Sequence, residues 1–247
     1  MKTFADGSKI AKAGFENEYD IINRFNNWRK DKEAQSWLEI MNYKLSEIEY
    51  VEAIKVSGFK TDVQVQVTIK LKKAIDVENL QVKLESNKTG FNQIDKRWVD
   101  KYAEMWNIPD NIVYTIKRYT GEIKPTIKKT RYPKRMLANE FTLQEQIEVI
   151  DWLKKNQALI ISDVIKGRGK FAAECMLVAQ KIILNSRWIL KPINYCINFY
   201  GNGEVRITSG GNFRISKIGM QRKGGDSGRE SAKLLQFKID PSKLFEE

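Results

Sequence analysis

Strict alternation of apolar and polar residues between Val63 and Leu71 constrains the fold of this chain more than any other feature of its sequence. Apolar residues occupy every odd position and polar residues every even one, and a β-strand sends successive side chains to opposite faces. The pattern therefore predicts a half-buried strand. The chain alternates again from Leu80 to Leu84, after a charged connection. Together the two segments predict one β-hairpin.

The predicted hairpin carries ionisable and amide side chains at its ends. Asp62 is in register with the polar face of the first strand, while Gln81 and Lys83 point the same way on the second, away from the core. A carboxylate that can bind Mg²⁺, beside a lysine that can orient a water against a phosphodiester, is the minimum set of groups for a metal-dependent nuclease. An ordinary amphipathic hairpin is the alternative, because glutamine-x-lysine triplets also begin at Gln221 and Gln236.

Beyond the hairpin, the chain resembles the HinP-type restriction endonucleases, a family related to MspI. Asp62 and Gln81-Val82-Lys83 are similar to that family's variant of the PD-(D/E)xK nuclease signature, which has glutamine where most of the superfamily has an acid. The resemblance covers nearly the whole chain, through residues 86–96, 167–174, 221–226 and 235–241.

The resemblance implies an α/β fold in which helices flank a mixed central β-sheet of the restriction-endonuclease type. It implies a single restriction endonuclease domain over residues 1–247. The catalytic core would span about residues 14–110, and the DNA-recognition elements about residues 86–97 and 203–230.

The same resemblance implies Mg²⁺-dependent hydrolysis of double-stranded DNA. Asp62 would be the main metal ligand, Gln81 would offer a neutral carbonyl oxygen, and the backbone carbonyl of Val82 would complete the set. Lys83 would orient the attacking water and offset negative charge in the transition state. The implied target is GCGC, cut after the first G to leave 5′-phosphate ends with two-base 5′ overhangs; CCGG, the target of MspI, stays open. A cognate DNA methyltransferase is the implied companion.

Two segments are candidates for contact with DNA. The spacing of apolar residues from Phe91 to Trp106 predicts a helix whose start could read bases, since amide and lysine side chains bond base edges. A glycine-rich basic loop follows near the C-terminus. A solvated helix face and a surface turn are the alternatives. The predicted DNA contacts are Asn87, Lys88, Asn92, Gln93, Lys96, Gln221, Arg222, Lys223 and Arg229.

A net charge of +12 favours a polyanionic partner. Residues 117–135 contain eight basic residues against one acid, together with Pro125 and Pro133. Such a segment is a poor helix and suits a basic loop that contacts phosphates, although a hinge is equally compatible with it.

Several residue types are absent or sparse, and their absence excludes classes of chemistry. The chain has no histidine, which excludes a Ser-His-Asp triad and imidazole-based metal sites. Cys175 and Cys196 lie in apolar surroundings and are expected to be buried free thiols in a reducing cytosol. No apolar run is long enough to span a bilayer and the start lacks a secretion signal, so we expect a cytoplasmic bacterial protein without a membrane partner.

Helix signals occur in three further segments. Apolar residues at 15, 19, 22 and 25 predict an N-terminal helix face. Glu18 is a candidate further metal ligand; the alternative is an acid that is simply favourable near a helix N-terminus. Thr142 and Glu145 predict a capping box and a helix to about Leu153. Residues 167–170 are predicted to lead into an apolar helix over 171–183, where free amides could meet a phosphate.

Two rival functions remain open from the sequence. A non-catalytic nucleic-acid-binding protein would use the same basic surface without breaking strands. A structure-specific repair nuclease would share the chemistry but require a lesion or a junction. No heptad seam argues for pairing of chains, and both a monomer and a homodimer can cut a short palindrome.

Overall fold

The computed structural model describes residues 4–56, 62–69, 74–88, 90–127, 130–182, 185–225 and 229–246. Its helices are α1 (Phe4–Asn26), α2 (Lys32–Ile40), α3 (Val99–Trp106), α4 (Asp110–Thr120), α5 (Leu143–Lys155), α6 (Gln157–Ile165) and α7 (Ile193–Gly201). Its strands are β1 (Ile48–Lys55), β2 (Val63–Ile69), β3 (Ala74–Glu85), β4 (Asn92–Arg97), β5 (Cys175–Ile182), β6 (Asn185–Pro192), β7 (Val205–Ile207), β8 (Phe213–Ile215), β9 (Ile218–Arg222) and β10 (Leu235–Ile239).

The chain divides into two compact units. The first unit consists of residues 5–92, 165–197 and 240–247, and the second of residues 1–4, 93–164 and 198–239. Each unit contains one β-sheet, β1-β2-β3-β5-β6 in the first and β4-β10-β9-β8-β7 in the second.

The sheet of the first unit contains the hairpin predicted from the sequence. β2 and β3 pair antiparallel, with Val63 opposite Leu80, and β1 pairs antiparallel with the other edge of β2. β3 also pairs in parallel with β5, so that Lys83 lies opposite Val178. The sheet is therefore mixed, and the strand that carries the candidate lysine is an inner strand.

A hydrophobic core packs helices α1 and α2 against this sheet. Side chains from both helices and from strands β1, β2, β3, β5 and β6 belong to one buried cluster. Within it the rings of Phe25 and Trp37 lie 5.3 Å apart between centroids. Burial of this apolar surface is the main force that holds α1 on the sheet.

The predicted N-terminal helix is confirmed as α1, and two of its four predicted apolar positions are buried. Ile22 and Phe25 are buried, whereas Phe15 and Tyr19 remain 52% and 56% exposed. The prediction was wrong for these two aromatic residues, because they have another partner. The Lys55 ammonium lies 4.0 Å from the ring centroid of Phe15 and 5.2 Å from that of Tyr19, which is cation–π distance.

The second unit combines helices with antiparallel strands. β7, β8, β9 and β10 pair antiparallel in succession. Tyr102 and Trp106 of α3 stack at 4.7 Å and both contact Phe237 of β10 edge-on. The capping box predicted at the start of α5 is confirmed, because Thr142 and Glu145 exchange hydrogen bonds there.

Two of the helix predictions differ from the structure: one was wrong for its first half, and the other was wrong over the residues that form β5. Residues 92–97 form strand β4 and the helix starts only at Val99; Phe91 and Trp98, which completed the apparent stripe, are exposed. Residues 175–182 form strand β5 rather than a helix. Its first six residues are all buried, and a continuous apolar run suits a strand that is covered on both faces.

No helix in the part of the chain that the structure describes is long and apolar enough to cross a membrane.

Candidate active site

The structure brings Asp62 and Lys83 together at one end of the hairpin. The Lys83 Nζ atom lies 3.8 Å from Asp62 Oδ2, and the same oxygen accepts a hydrogen bond of 2.8 Å from the Val82 backbone N–H. The Asp62 N–H in turn donates to the Leu80 carbonyl at 2.9 Å. Both side chains are partly buried. Their positions follow from the register of β2 on β3, which sets Asp62 beside the start of the Gln81-Val82-Lys83 triplet.

Gln81 is less accessible than the alternation predicted. Gln81 is 1% exposed, and it lies on an inner strand, where Met176 of β5 is opposite it in the ladder. The Gln81 Oε1 atom has no hydrogen-bond partner among the described residues. A buried carbonyl oxygen without a partner costs free energy unless another group binds it.

The donor set fits a hard divalent cation. Mg²⁺ is bound through oxygen atoms, commonly by one or two carboxylates together with waters and substrate phosphates. Asp62 supplies one carboxylate, and the unpartnered Oε1 of Gln81 supplies a neutral oxygen. The described residues contain no group of three or more histidine, cysteine, aspartate or glutamate side chains that could hold a metal. Among these described residues, Asp62 therefore does not belong to such a group.

Helix α1 carries Glu18 to the same end of the hairpin. Lys55 lies opposite Val63 in the β1/β2 ladder, and Val56 N–H donates to the Asp62 carbonyl at 3.0 Å. Glu18 Oε2 lies 2.8 Å from Lys55 Nζ but outside hydrogen-bond alignment, so this contact is an ion pair without a directed bond. Glu18 is thus engaged by a cation in this structure.

Sequence reasoning missed Asn17, the neighbour of Glu18. Asn17 is buried, and neither its amide nitrogen nor its amide oxygen has a hydrogen-bond partner among the described residues. The signal that could have revealed it is its spacing from Ile21 and Phe25, which places a polar amide on the core-facing stripe of α1.

A polar network surrounds Glu78 and Asn79 in the middle of β3. Asn79 N–H donates to Glu174 Oε2 at 2.8 Å and the Asn79 side chain donates to the Lys170 carbonyl at 3.0 Å. Tyr43 donates to Glu78 at 3.0 Å. Burial raises the pKa of Glu78 despite that bond. The segment predicted to meet phosphate at 167–170 therefore binds the sheet through the Lys170 backbone, and no long helix follows it among the described residues.

Both cysteines are buried and free, as predicted. Burial, reinforced by nearby carboxylates, raises the pKa of the Cys175 thiol to about 12. The pKa of the Cys196 thiol is also raised by burial to about 12. Since the thiolate is the reactive form, neither residue is suited to act as a nucleophile.

The predicted DNA contacts of the first unit lie just after β3. Asn87 and Lys88 are exposed, and their backbone carbonyls accept hydrogen bonds from Gln180. Asn92 differs from the other predicted contacts, because its amide nitrogen donates to the Leu84 carbonyl at 3.3 Å and to the Glu85 carboxylate. We therefore assign Asn92 an internal role in holding the loop between β3 and β4.

The predicted contacts of the second unit lie on strands and loops rather than on a helix. Gln93 and Lys96 are exposed on β4. Gln221 and Arg222 end strand β9, and Lys223 N–H donates to the Leu234 carbonyl at 2.8 Å. Burial, with a contribution from Arg135, lowers the pKa of the Arg222 guanidinium from its ordinary value.

Two basic segments of the second unit line one open cavity of about 650 Å³. We call it the basic cleft. Among its described lining residues the one acid, Glu230, is paired with Lys233 at 2.7 Å. The basic lining residues are Lys124, Lys134, Arg222, Arg229 and Lys233.

The predicted basic loop is shorter than the sequence suggested. Lys117 and Arg118 belong to helix α4, because its αL cap at Gly121 ends the helix four residues into the basic run. Arg118 is 3% exposed and pairs with Glu145, while Lys117 Nζ lies 2.6 Å from Asp100. Lys128 and Lys129 lie outside the described residues. The phosphate-contacting candidates of this segment are therefore those beyond Gly121.

Comparisons with known proteins identify the fold and the family of the chain. No curated protein matches the chain. Among solved structures, the chain is similar to the restriction endonuclease MspI, solved in complex with its cognate DNA, with a TM-score of 0.67 and 17% sequence identity over 96% of this chain and 93% of that chain. This similarity confirms the predicted α/β fold of the restriction-endonuclease type. The model of the R.HinP1I restriction endonuclease family matches residues 41–245, and the chain therefore belongs to that family.

Proposed function

We propose that the chain cleaves double-stranded DNA at GCGC, after the first G, in a Mg²⁺-dependent reaction that leaves 5′-phosphate ends with two-base 5′ overhangs. Membership of the R.HinP1I family gives the enzyme class, a type II site-specific deoxyribonuclease. The observation that supports the chemistry is the approach of Lys83 to the Asp62 carboxylate. Gln81, two residues before Lys83 on β3, adds a buried side-chain oxygen that has no hydrogen-bond partner among the described residues.

Each residue of the site has a role in this proposal. Asp62, the Gln81 side chain and the Val82 carbonyl would hold Mg²⁺, which supplies Lewis-acid stabilisation of the phosphate charge when bound. The Val82 N–H fixes one oxygen of Asp62 at 2.8 Å, which limits the orientations of that carboxylate. Lys83 orients the attacking water in line with the scissile bond and offsets the negative charge that develops on the phosphate.

Contact with the duplex is proposed for both units. MspI was solved with its cognate DNA, and the net charge of +12 favours the same class of ligand here. In the first unit the proposed contacts are Asn87 and Lys88. In the second unit the proposed contacts are Gln93, Lys96, Gln221, Arg222, Lys223 and Arg229. We assign the basic cleft to backbone phosphates, because it gathers cations from two segments and the one acid among its described lining residues is paired.

Digestion of an unmethylated phage genome by the purified protein with Mg²⁺ tests the proposal. We expect discrete fragments whose ends map to GCGC, protection when those sites are methylated, and no fragments with Asp62→Asn. Fragments whose ends map to CCGG would show that CCGG, and not GCGC, is the target. Binding without breakage would favour the non-catalytic protein, and cleavage confined to lesions or junctions would favour a repair nuclease.

A cognate DNA methyltransferase belongs to the same proposal, because a host genome that contains the target would otherwise be cut. Expression of the nuclease in a host without that methyltransferase is expected to fragment the chromosome, whereas Asp62→Asn should be tolerated.

A further inference from the structure

Two buried glutamines each bind two consecutive backbone carbonyls of a loop that carries proposed DNA contacts. Gln180 binds those of Asn87 and Lys88 in the first unit. Gln236 binds those of Arg222 and Lys223 in the second. We propose that Gln180 and Gln236 are positioning residues that fix these loops for recognition and cleavage of the target. The inference rests on the proposed function, since it concerns the same DNA contacts.

Gln180 lies on β5 and is 2% exposed. Its Nε2 atom donates at 3.1 Å to the Asn87 carbonyl and at 3.2 Å to the Lys88 carbonyl. Its Oε1 atom accepts a hydrogen bond of 2.7 Å from Arg187 Nε, and the Arg187 guanidinium lies 4.2 Å from the ring centroid of Phe245. Both donor hydrogens and the acceptor of the amide are therefore used.

Gln180 lies beside the end of strand β3, the strand that carries Lys83. Gln180 lies opposite Glu85 in the parallel ladder between β5 and β3, and Glu85 is the last residue of β3. The loop with Asn87 and Lys88 begins one residue later. Gln180 thus holds the chain where it leaves the strand that carries Lys83.

Gln236 has the corresponding role in the second unit. It lies on β10, is 3% exposed, and pairs with Gln221 in the β9/β10 ladder. Its Nε2 atom lies 3.3 Å from the Arg222 carbonyl and 3.4 Å from the Lys223 carbonyl. Arg222 also lines the basic cleft, so this glutamine holds the backbone from which a cleft cation projects.

The shape of a glutamine side chain suits it to hold a bend in the backbone at both positions. In an extended strand successive carbonyls point to opposite sides, so two adjacent carbonyls that share one donor mark a bend. A side-chain amide has two hydrogens on one nitrogen and can hold such a bend. Because the direction of each side chain follows its backbone, a released bend would move the DNA contacts, and displacements of about 1 Å can lower a rate by about 100-fold.

A third glutamine provides a matched control. Gln35 Nε2 donates to the Trp28 carbonyl at 3.1 Å and to the Arg29 carbonyl at 3.0 Å. The turn that it holds follows helix α1 and carries none of the proposed DNA contacts. Gln35→Leu removes the same kind of hydrogen bonds at a position where the proposal expects no loss of recognition.

The test compares Gln180→Leu, Gln236→Leu and Gln35→Leu in the full chain. We expect faster amide exchange at residues 86–88 in the first variant and at residues 222–224 in the second. For each of these two variants, kcat/KM on the wild-type target should fall at least about tenfold, and discrimination against sites with one changed base should weaken. Gln35→Leu should retain kcat/KM and discrimination when all variants are compared at a temperature where they are fully folded.

Unchanged exchange in the loops would overturn the inference. So would wild-type kcat/KM and discrimination in both Gln180→Leu and Gln236→Leu, or an equal loss in Gln35→Leu. A different result would overturn the proposed function and not the loop contacts. In that case the wild-type protein would cut no DNA, although both loops exchange faster in the variants. The hydrogen bonds from Gln180 and Gln236 would then be structural contacts only.

Discussion

Lys83 Nζ lies 3.8 Å from Asp62 Oδ2, and that oxygen also accepts the Val82 N–H. A single carboxylate oxygen thus accepts a hydrogen bond from Val82 and forms an ion pair with Lys83, the next residue of β3. The arrangement fixes the carboxylate relative to the lysine that is proposed to orient the attacking water. Removal of either partner should therefore affect the chemical step rather than the binding of DNA.

Asp62→Asn and Lys83→Met are expected to lower kcat by at least about 100-fold, the effect of removing one preorganised charge-stabilising group. Dissociation constants for duplex DNA, measured without divalent metal, should stay within a few-fold of the wild-type value. Lys101→Met is the control, because Lys101 forms an exposed pair with Glu104. Cleavage at wild-type rates in both site variants would remove these residues from the mechanism.

Gln81→Glu should make the stability of the protein more dependent on Mg²⁺. A second carboxylate next to Asp62, at a position that is 1% exposed, is disfavoured in its charged form by burial and by like charge. The melting temperature without metal should fall, and its rise on addition of Mg²⁺ should exceed that of the wild type because a bound ligand stabilises the folded state.

Gln81→Leu provides the opposite control, since it removes the oxygen without adding charge. Its melting temperature should respond less to Mg²⁺ than that of the wild type. Identical responses to Mg²⁺ in the wild type and both variants would show that position 81 does not contact the metal.

Arg118→Met should destabilise the second unit. Arg118 is 3% exposed and pairs with Glu145, and loss of a hydrogen bond to a charged group costs about 1.5–3 kcal/mol of unfolding free energy. Urea unfolding at pH 7 measures this loss. Lys101→Met, at the exposed pair with Glu104, should cost much less.

The effect of Arg118→Met should shrink in acid. Partial burial favours the neutral form of Glu145, but the bonds from Arg118 and Thr142 outweigh it and lower the pKa of the carboxyl below its ordinary value of 4.5. A carboxyl whose pKa is lowered by folding stabilises the protein above its unfolded pKa, and that stabilisation is lost as pH falls through the folded pKa. A difference between wild type and variant that is as large at pH 3 as at pH 7 would contradict this assignment.

Lys124→Gln and Lys134→Gln together should reduce the salt dependence of DNA binding. Removing one phosphate contact lowers the slope of log K against log salt by about 0.9. The decrease in affinity should be similar for target and non-target duplexes, because phosphates carry no sequence information. Lys44→Gln and Lys101→Gln, at exposed pairs outside the cleft, form the matched control. An unchanged slope in the cleft variants would show that the basic cleft does not bind the DNA backbone.

Local patterns in the sequence predicted those elements that depend on neighbouring residues. The alternation from Val63 predicted the β2/β3 hairpin, and Thr142 with Glu145 predicted the start of α5. Both rest on interactions between residues close in the chain, which periodicity and capping rules describe. The approach of Lys83 to Asp62 follows from the same hairpin register.

Elements that depend on distant partners could not be predicted in this way. The pairing of β3 with β5 joins Lys83 to Val178, and no local signal specifies it. Residues 175–182, where the sequence predicted part of a helix, form the strand that makes this pairing. In the same way, helical spacing of apolar residues concealed strand β4, which is defined by its place beside β10.

Strand β3 is hydrogen-bonded along both edges, by β2 and by β5, whereas the proposed base-reading residues lie at the ends of strands and in loops. Asp62 and Lys83 are consequently held by backbone pairing that the loops themselves do not supply. We therefore expect that substitutions of loop side chains which keep the backbone bends intact change the preferred target sequence more than the rate of the proposed hydrolysis.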